Sequence, residues 1–82
     1  MSPEESPEQP HKKPSDKLVY MANQIGRAFR TQGEEADVKG TAEHIRKFWD
    51  PRMRATILQH LASGGAGLDP VARQAVEKLQ AP

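Results

Sequence analysis

The sequence predicts an all-α fold, a small bundle of about four short helices that follows a disordered N-terminal tail. Four stretches carry apolar side chains at helical spacing, and none alternates with period two as a half-buried strand does. Asp-Pro pairs at residues 50–51 and 69–70 mark helix starts, because aspartate accepts from the first amides and proline suits the first turn.

The chain divides into residues 1–14, a predicted disordered proline-rich tail, and residues 15–82, a single helical domain. The tail carries four prolines and no large apolar side chain after Met1. Such a segment buries too little surface to offset the entropy of ordering it. A proline-binding module is the alternative partner for this tail.

The composition narrows the class of protein. The chain has 82 residues, enough for one small domain, and it lacks cysteine, which excludes disulfides and thiolate metal sites. No apolar run approaches membrane-spanning length, and no secretory leader follows Met1. We therefore expect a cytoplasmic protein that contacts no membrane.

The first predicted helix runs from a cap at Ser15 or Asp16 to about Thr31. Its apolar side chains fall in one arc, made of Leu18, Ala22, Ile25 and Phe29 with Met21 and Ala28 beside them. The face expected to point outward carries Tyr20, Asn23, Gln24 and Arg27.

The second helix is predicted over residues 34–49, with acidic residues in its first turn where the helix dipole favours them. Its stripe consists of Val38, Ala42, Ile45 and Trp49, with Thr41 and Phe48 on one flank.

The third helix is predicted over residues 51–63 and the fourth over residues 70–79. The third presents Met53, Ile57, Leu58 and Leu61, and the fourth presents Val71, Ala72, Ala75, Val76 and Leu79. The glycine-rich segment 64–67 between them is a predicted helix stop, since glycine suits the left-handed position after a helix.

The second and third helices are predicted to meet at a sharp corner, Phe48-Trp49-Asp50-Pro51-Arg52-Met53-Arg54. Proline disfavours helix at the residue before it, and the preceding aspartate is the expected N-cap. The residues predicted to form structural turns are Asp50, Pro51, Gly64, Gly65 and Gly67.

No residue set indicates catalysis, a cofactor site or a metal site. His44 and His60 fall on different predicted helices with no paired ligand, so we interpret them as surface histidines. Ser63 is three residues after His60 at a helix end, where a capping or surface role is common.

The corner and the polar face of the first helix are instead predicted to bind a protein partner. Arg, Trp, Tyr and Met concentrate in interface hot spots, and few apolar side chains are available for a core. The candidate partner-binding residues are Trp49, Arg52, Met53, Arg54, Tyr20, Asn23 and Gln24. Trp49 also lies on a core stripe, which predicts a mainly structural role. Arg54 falls inside an apolar arc and has two interpretations, a bond to helix ends within the domain or a contact with the partner.

A nucleic-acid-binding regulator is the alternative function. Residues 39–54 contain five lysines and arginines against two acidic residues, an excess suited to phosphate contacts. However, a helix-turn-helix needs a longer turn and base-reading polar groups on its second helix. The formal net charge of +1 adds no support.

The quoted motifs resemble one protein family. They are Met21-Ala22-Asn23-Gln24-Ile25-Gly26, His44-Ile45, the corner segment, and His60-Leu61 with Gly64-Gly65-Ala66-Gly67-Leu68-Asp69-Pro70. Over about residues 17–79 the chain resembles the delta subunit of bacterial NAD-dependent formate dehydrogenase. The F-W-D-P-R-M-R run followed by G-G-x-G-L is the specific part of the resemblance.

The resemblance implies a non-catalytic subunit of a cytoplasmic molybdenum- or tungsten-dependent enzyme. It implies that the alpha subunit holds a bis-pyranopterin guanine dinucleotide cofactor and iron–sulfur clusters, while other subunits carry FMN and the NAD site. It further implies that this chain binds the alpha subunit, holds no cofactor of its own, and supports assembly, stability or cofactor insertion. On this basis nucleic acid and membrane are not expected partners.

Overall fold

The computed structural model describes residues 14–30 and 33–80. Four helices account for most of this part of the chain: α1 (Pro14–Ala28), α2 (Glu34–Phe48), α3 (Pro51–Ala62) and α4 (Pro70–Lys78). No strand occurs in these two ranges, so the all-α prediction is confirmed. None of these helices has the length and apolar character needed to cross a membrane.

Both ends of α1 differ from the prediction. The helix begins at Pro14, so Ser15 and Asp16 lie in its first turn and are not its cap. Proline is favoured at the first helical position because its missing N–H needs no partner there. The helix ends at Ala28, three residues before the predicted end, and the following turn tightens into i→i−3 hydrogen bonds of 3.3 Å at Phe29 and Arg30. The rest of the predicted tail, residues 1–13, and Thr31 lie outside the described residues.

The core forms where α2 lies against α1 and α4. The predicted stripe of α2 is confirmed, because Val38, Ala42, Ile45 and Trp49 are all buried. Small residues on the other two helices allow close packing, and the fully buried ones are Ala22, Ala72 and Ala75. Around these residues pack partly buried side chains from α1, α3 and the end of α4, including Met21, Ile25, Met53, Leu61 and Leu79.

Two further features of α2 support this packing. Thr41 is fully buried, and its hydroxyl donates to the Asp37 carbonyl at 2.7 Å, so the polar group is satisfied within the helix. Gly40 lies against Phe29, and a Cβ at this position would lie 3.0 Å from the Phe29 ring. The glycine that weakens α2 as a helix therefore allows the end of α1 to approach it closely.

The corner between α2 and α3 has the predicted geometry. Asp50 is the N-cap of α3, and its Oδ1 accepts from the Met53 N–H at 2.8 Å. Pro51 is the first residue of the new helix. The Trp49 N–H donates to the Ile45 carbonyl at 2.9 Å, and this bond closes α2.

The glycine turn after α3 is also confirmed. Gly64 and Gly65 have φ of 119° and 67°, in the region that favours glycine. The Gly64 N–H donates to Leu61 at 3.0 Å and the Gly65 N–H donates to His60 at 2.9 Å, which is the Schellman pattern for a helix end. Gly67 also has a positive φ, of 86°.

Asp69 begins α4 but does not cap it in the predicted way. Its side chain makes no hydrogen bond to the amides of α4. Instead, Asp69 Oδ2 lies 3.3 Å from Nη2 of Arg27 on α1. The carboxylate therefore contacts the neighbouring helix α1 instead of the amides of its own helix.

Candidate functional site

A shallow groove of about 380 Å³ opens between α1, the end of α2 and the first turn of α3. Its lining residues are mostly apolar or aromatic: Tyr20, Met21, Gln24, Ile25, His44, Phe48, Trp49 and Met53. We refer to this surface as the corner groove. The corner between α2 and α3 forms one side of it, because Phe48, Trp49 and Met53 all line the groove.

Two aromatic side chains at the corner groove are exposed to solvent. Tyr20 is 61% exposed and Phe48 is 70% exposed, and they are the exposed large hydrophobic residues of the described chain. Trp49 is only 4% exposed and forms the floor. A contiguous apolar surface with aromatic rims is typical of a protein-binding site.

Local contacts between neighbouring turns position these rims. On α1, Gln24 Nε2 donates to the Tyr20 hydroxyl at 2.6 Å. On α2, the His44 and Phe48 ring centroids lie 4.6 Å apart, and the Phe29 and His44 ring centroids lie 6.4 Å apart in an edge arrangement. Both pairs on one helix are four residues apart, the spacing that places side chains on the same face. Contacts within the domain therefore position both rims.

The structure brings together part of the predicted partner-binding set. Tyr20, Gln24, Trp49 and Met53 line the corner groove, and Arg52 is exposed next to Met53. The burial of Trp49 agrees with its predicted structural role. That these residues bind a partner stays a prediction.

The structure agrees with the first of the two interpretations of Arg54, in which its guanidinium bonds to helix ends within the domain. Its Nη1 donates to the carbonyl of Trp49 and, at 3.3 Å, to that of Arg46. Arg46 in turn donates to the Lys78 carbonyl at the end of α4, at 2.7 Å. Carbonyls at a helix C-terminus attract cations because they lack helical donors. Two cations of the basic stretch thus join helices, which leaves a smaller patch for phosphate groups.

Asn23 does not point away from the domain, so its predicted orientation is wrong. Its Nδ2 donates to the Gly67 carbonyl and its Oδ1 accepts from the Asp69 N–H, both at 2.9 Å. The segment between α3 and α4 passes along this side of α1 and forms hydrogen bonds with both the nitrogen and the oxygen of the Asn23 amide. The sequence of α1 contains no signal for that, since the contact joins residues more than forty positions apart.

The sequence interpretation missed four residues of the corner groove, namely Met21, Ile25, His44 and Phe48. Met21 and Ile25 were assigned to the core, where they are in fact only partly buried. One signal was present for the other two: His44 and Phe48 are four residues apart and lie off the buried stripe of α2. Two residues at that spacing share one helix face, and a face off the apolar stripe is expected to border solvent.

A second cleft, of about 420 Å³, lies between the end of α1 and the starts of α2 and α4. It differs from the corner groove because charged groups line it, including Arg27, Arg30, Glu34 and Asp69. Within residues 14–30 and 33–80, no three His, Asp or Glu side chains lie close enough together to hold a metal ion.

Comparison with known proteins identifies the family. The family model of the NADH-dependent formate dehydrogenase delta subunit, FdsD, matches residues 17–76, which include all four helices except the ends of α1 and α4. No curated protein and no solved structure matches the chain. Because the match spans most of the chain, this protein belongs to the delta-subunit family of NADH-dependent formate dehydrogenase.

Proposed function

We propose that the chain is a non-catalytic subunit that binds the large, molybdopterin-containing alpha subunit of a cytoplasmic formate dehydrogenase complex. In this proposal it supports assembly, stability or cofactor insertion for the oxidation of formate to CO2. The molybdenum or tungsten cofactor, iron–sulfur clusters and FMN belong to the other subunits. The observation that carries the proposal is the corner groove with its exposed Tyr20 and Phe48.

The groove supports docking because two of its aromatic side chains, Tyr20 and Phe48, remain largely exposed within the described chain. Leaving Phe48 70% exposed forgoes burial that a partner can supply. Aromatic residues of this kind dominate interface energies, and the loss of one hot-spot side chain costs about 2 kcal/mol or more. That figure corresponds to roughly a thirtyfold change in Kd.

The proposal is tested with Tyr20→Ser and Phe48→Ser combined in the full-length chain. Both side chains are exposed, so we expect the free energy of unfolding to change by less than about 1 kcal/mol. We expect the variant to be lost from the purified complex, measured as the ratio of this chain to the alpha subunit. Formate-dependent NAD reduction and molybdenum content of the complex then report on assembly.

The matched control is Glu77→Ser, an exposed change on α4, which contributes no side chain to the corner groove. This control should be retained as the wild type is. Full retention of the double variant would show that the corner groove is not the docking surface. A wild-type chain that fails to co-purify with the alpha subunit would refute the proposed function itself.

A further inference from the structure

The two methionines that follow Met1 in the sequence both line the corner groove, although they are distant from each other along the chain. Met21 comes from α1 and Met53 comes from the first turn of α3. Both side chains are partly buried and pack against the core cluster that contains Trp49. Because the groove is open to solvent, small solutes can reach both side chains in the free chain.

The chemistry of these side chains is that of a thioether. The chain has no cysteine, so methionine supplies all of its sulfur. Hydrogen peroxide oxidises a thioether to a sulfoxide. A sulfur lone pair attacks one peroxide oxygen, an S–O bond forms, and the O–O bond breaks. The departing hydroxide takes up the remaining proton and leaves as water, so sulfur loses the two electrons that peroxide gains.

We propose that Met21 and Met53 form an oxidation-sensitive pair, whose conversion to sulfoxides by hydrogen peroxide prevents the partner subunit from docking at the corner groove. This inference rests on the proposed function, since it describes a regulation of the same surface. Oxidation changes a flexible apolar side chain into a polar one, which disrupts interfaces that contain methionine.

The position of the pair explains why docking is affected more than folding. In the free chain, water in the open groove bonds to a sulfoxide oxygen. A docked partner removes that water, and the lining of the groove is mostly apolar or aromatic. The Gln24 side-chain amide already donates to the Tyr20 hydroxyl at 2.6 Å. Burying a polar oxygen without a hydrogen bond is unfavourable, so the oxidised groove loses affinity for its partner.

The modification is reversible, which provides an independent arm of the test. Methionine sulfoxide reductases return the sulfoxide to the thioether. Two thiols supply the two electrons and become a disulfide, and the sulfoxide oxygen leaves as water. Two reductases are needed together, because each acts on one of the two sulfoxide epimers.

The test compares the full-length chain with the double variant Met21→Leu and Met53→Leu. Leucine keeps the apolar character and approximate volume of methionine but has no sulfur. Met1 is common to both proteins, so its oxidation does not distinguish them. Each protein is treated with hydrogen peroxide, and peptide mass spectrometry locates the added oxygen. Binding to formate dehydrogenase complex prepared without this chain is then measured, after circular dichroism has compared the helical content.

We expect peroxide to weaken binding of the wild type at least about tenfold, because a polar oxygen is buried without a partner. The leucine variant should stay within about twofold of its untreated affinity, since no groove sulfur can be oxidised. Treatment of the oxidised wild type with both reductases should restore binding. Met21→Gln with Met53→Gln, which places polar groups in the groove without peroxide, should weaken binding in the same direction.

Several results would overturn the inference. They are an oxidised wild type that binds as the untreated protein does, and a leucine variant that loses binding to the same extent after peroxide. Loss of helical content in the oxidised wild type would also overturn it, because the fold and not the groove would then be sensitive. In these cases the proposed function stands, since the untreated wild type binds. If the untreated wild type does not bind the complex, the proposed function fails together with this inference.

Discussion

α1 contacts the segment between α3 and α4 on one side and borders the corner groove on the other. On the first side, the amide of Asn23 bonds at both ends and Arg27 pairs with Asp69. On the second side, the hydroxyl of Tyr20 and the amide of Gln24 bond to each other and to no other described residue. The polar face of one helix is thus divided into a structural half and an open half, although its residue types are similar throughout.

The start of α3 repeats this division. Arg52 and Arg54 are two residues apart, yet Arg54 bonds to the end of α2 while Arg52 is exposed beside the groove. The difference teaches that residue type alone does not mark a binding surface. A candidate binding surface is instead indicated by polar or aromatic side chains that distant segments of the described chain leave exposed.

The largest expected effect on stability concerns Trp49, which belongs both to the core and to the lining of the corner groove. It lines the groove but is 4% exposed and packs in the core. We expect Trp49→Ala to lower the free energy of unfolding by about 3–5 kcal/mol, measured by urea denaturation. A Trp49→Ala variant that unfolds like the wild type but fails to bind the complex would contradict the structural role and assign Trp49 to the partner surface.

The next largest effect on stability is expected for Arg54, in contrast to Arg52. We expect Arg54→Ala to destabilise the domain by about 1.5–3 kcal/mol, because carbonyls at the end of α2 lose a charged donor. Arg52→Ala should change the free energy of unfolding by less than about 0.5 kcal/mol and instead weaken retention on the complex. Thermal and urea unfolding of both variants, together with co-purification, distinguish the two roles. Equal free energies of unfolding for Arg52→Ala and Arg54→Ala would show that the two arginines do not differ in their contribution to the fold.

The smallest expected effect on stability distinguishes the side-chain amides of Asn23 and Gln24 on α1. Asn23→Ala should cost about 1–2 kcal/mol of stability, since the Gly67 carbonyl and the Asp69 N–H both lose their partner. Gln24→Ala should leave the free energy of unfolding within about 0.5 kcal/mol of the wild type, because among the described residues its amide bonds to an exposed hydroxyl. Hydrogen exchange at the Asp69 amide gives a direct measurement, and it should accelerate in Asn23→Ala alone. Acceleration in both variants would refute the assignment of Gln24 to the open half.

Much of the candidate site was accessible from the sequence, but not its boundary. The corner segment and the outer face of α1 supplied Tyr20, Gln24, Trp49 and Met53 because aromatic, amide and methionine side chains of this kind favour interfaces. Phe48 was assigned to a flank and Asn23 to the open side. Both assignments depend on which distant segment of the chain packs nearby, as the bonds from Asn23 to Gly67 and Asp69 illustrate.

The sequence by itself determined the elements of this protein: helical stripes, an Asp-Pro corner at Asp50 and a glycine stop at Gly64. Those features depend on interactions within a few residues, such as the bond from the Met53 amide to Asp50. Only the tertiary structure decided the partners of polar groups. The second Asp-Pro pair shows why: Asp69 has the local setting of Asp50, but its carboxylate pairs with Arg27 from a distant turn. Electrostatic and packing contacts between remote segments decide such competition, and local sequence carries no record of them.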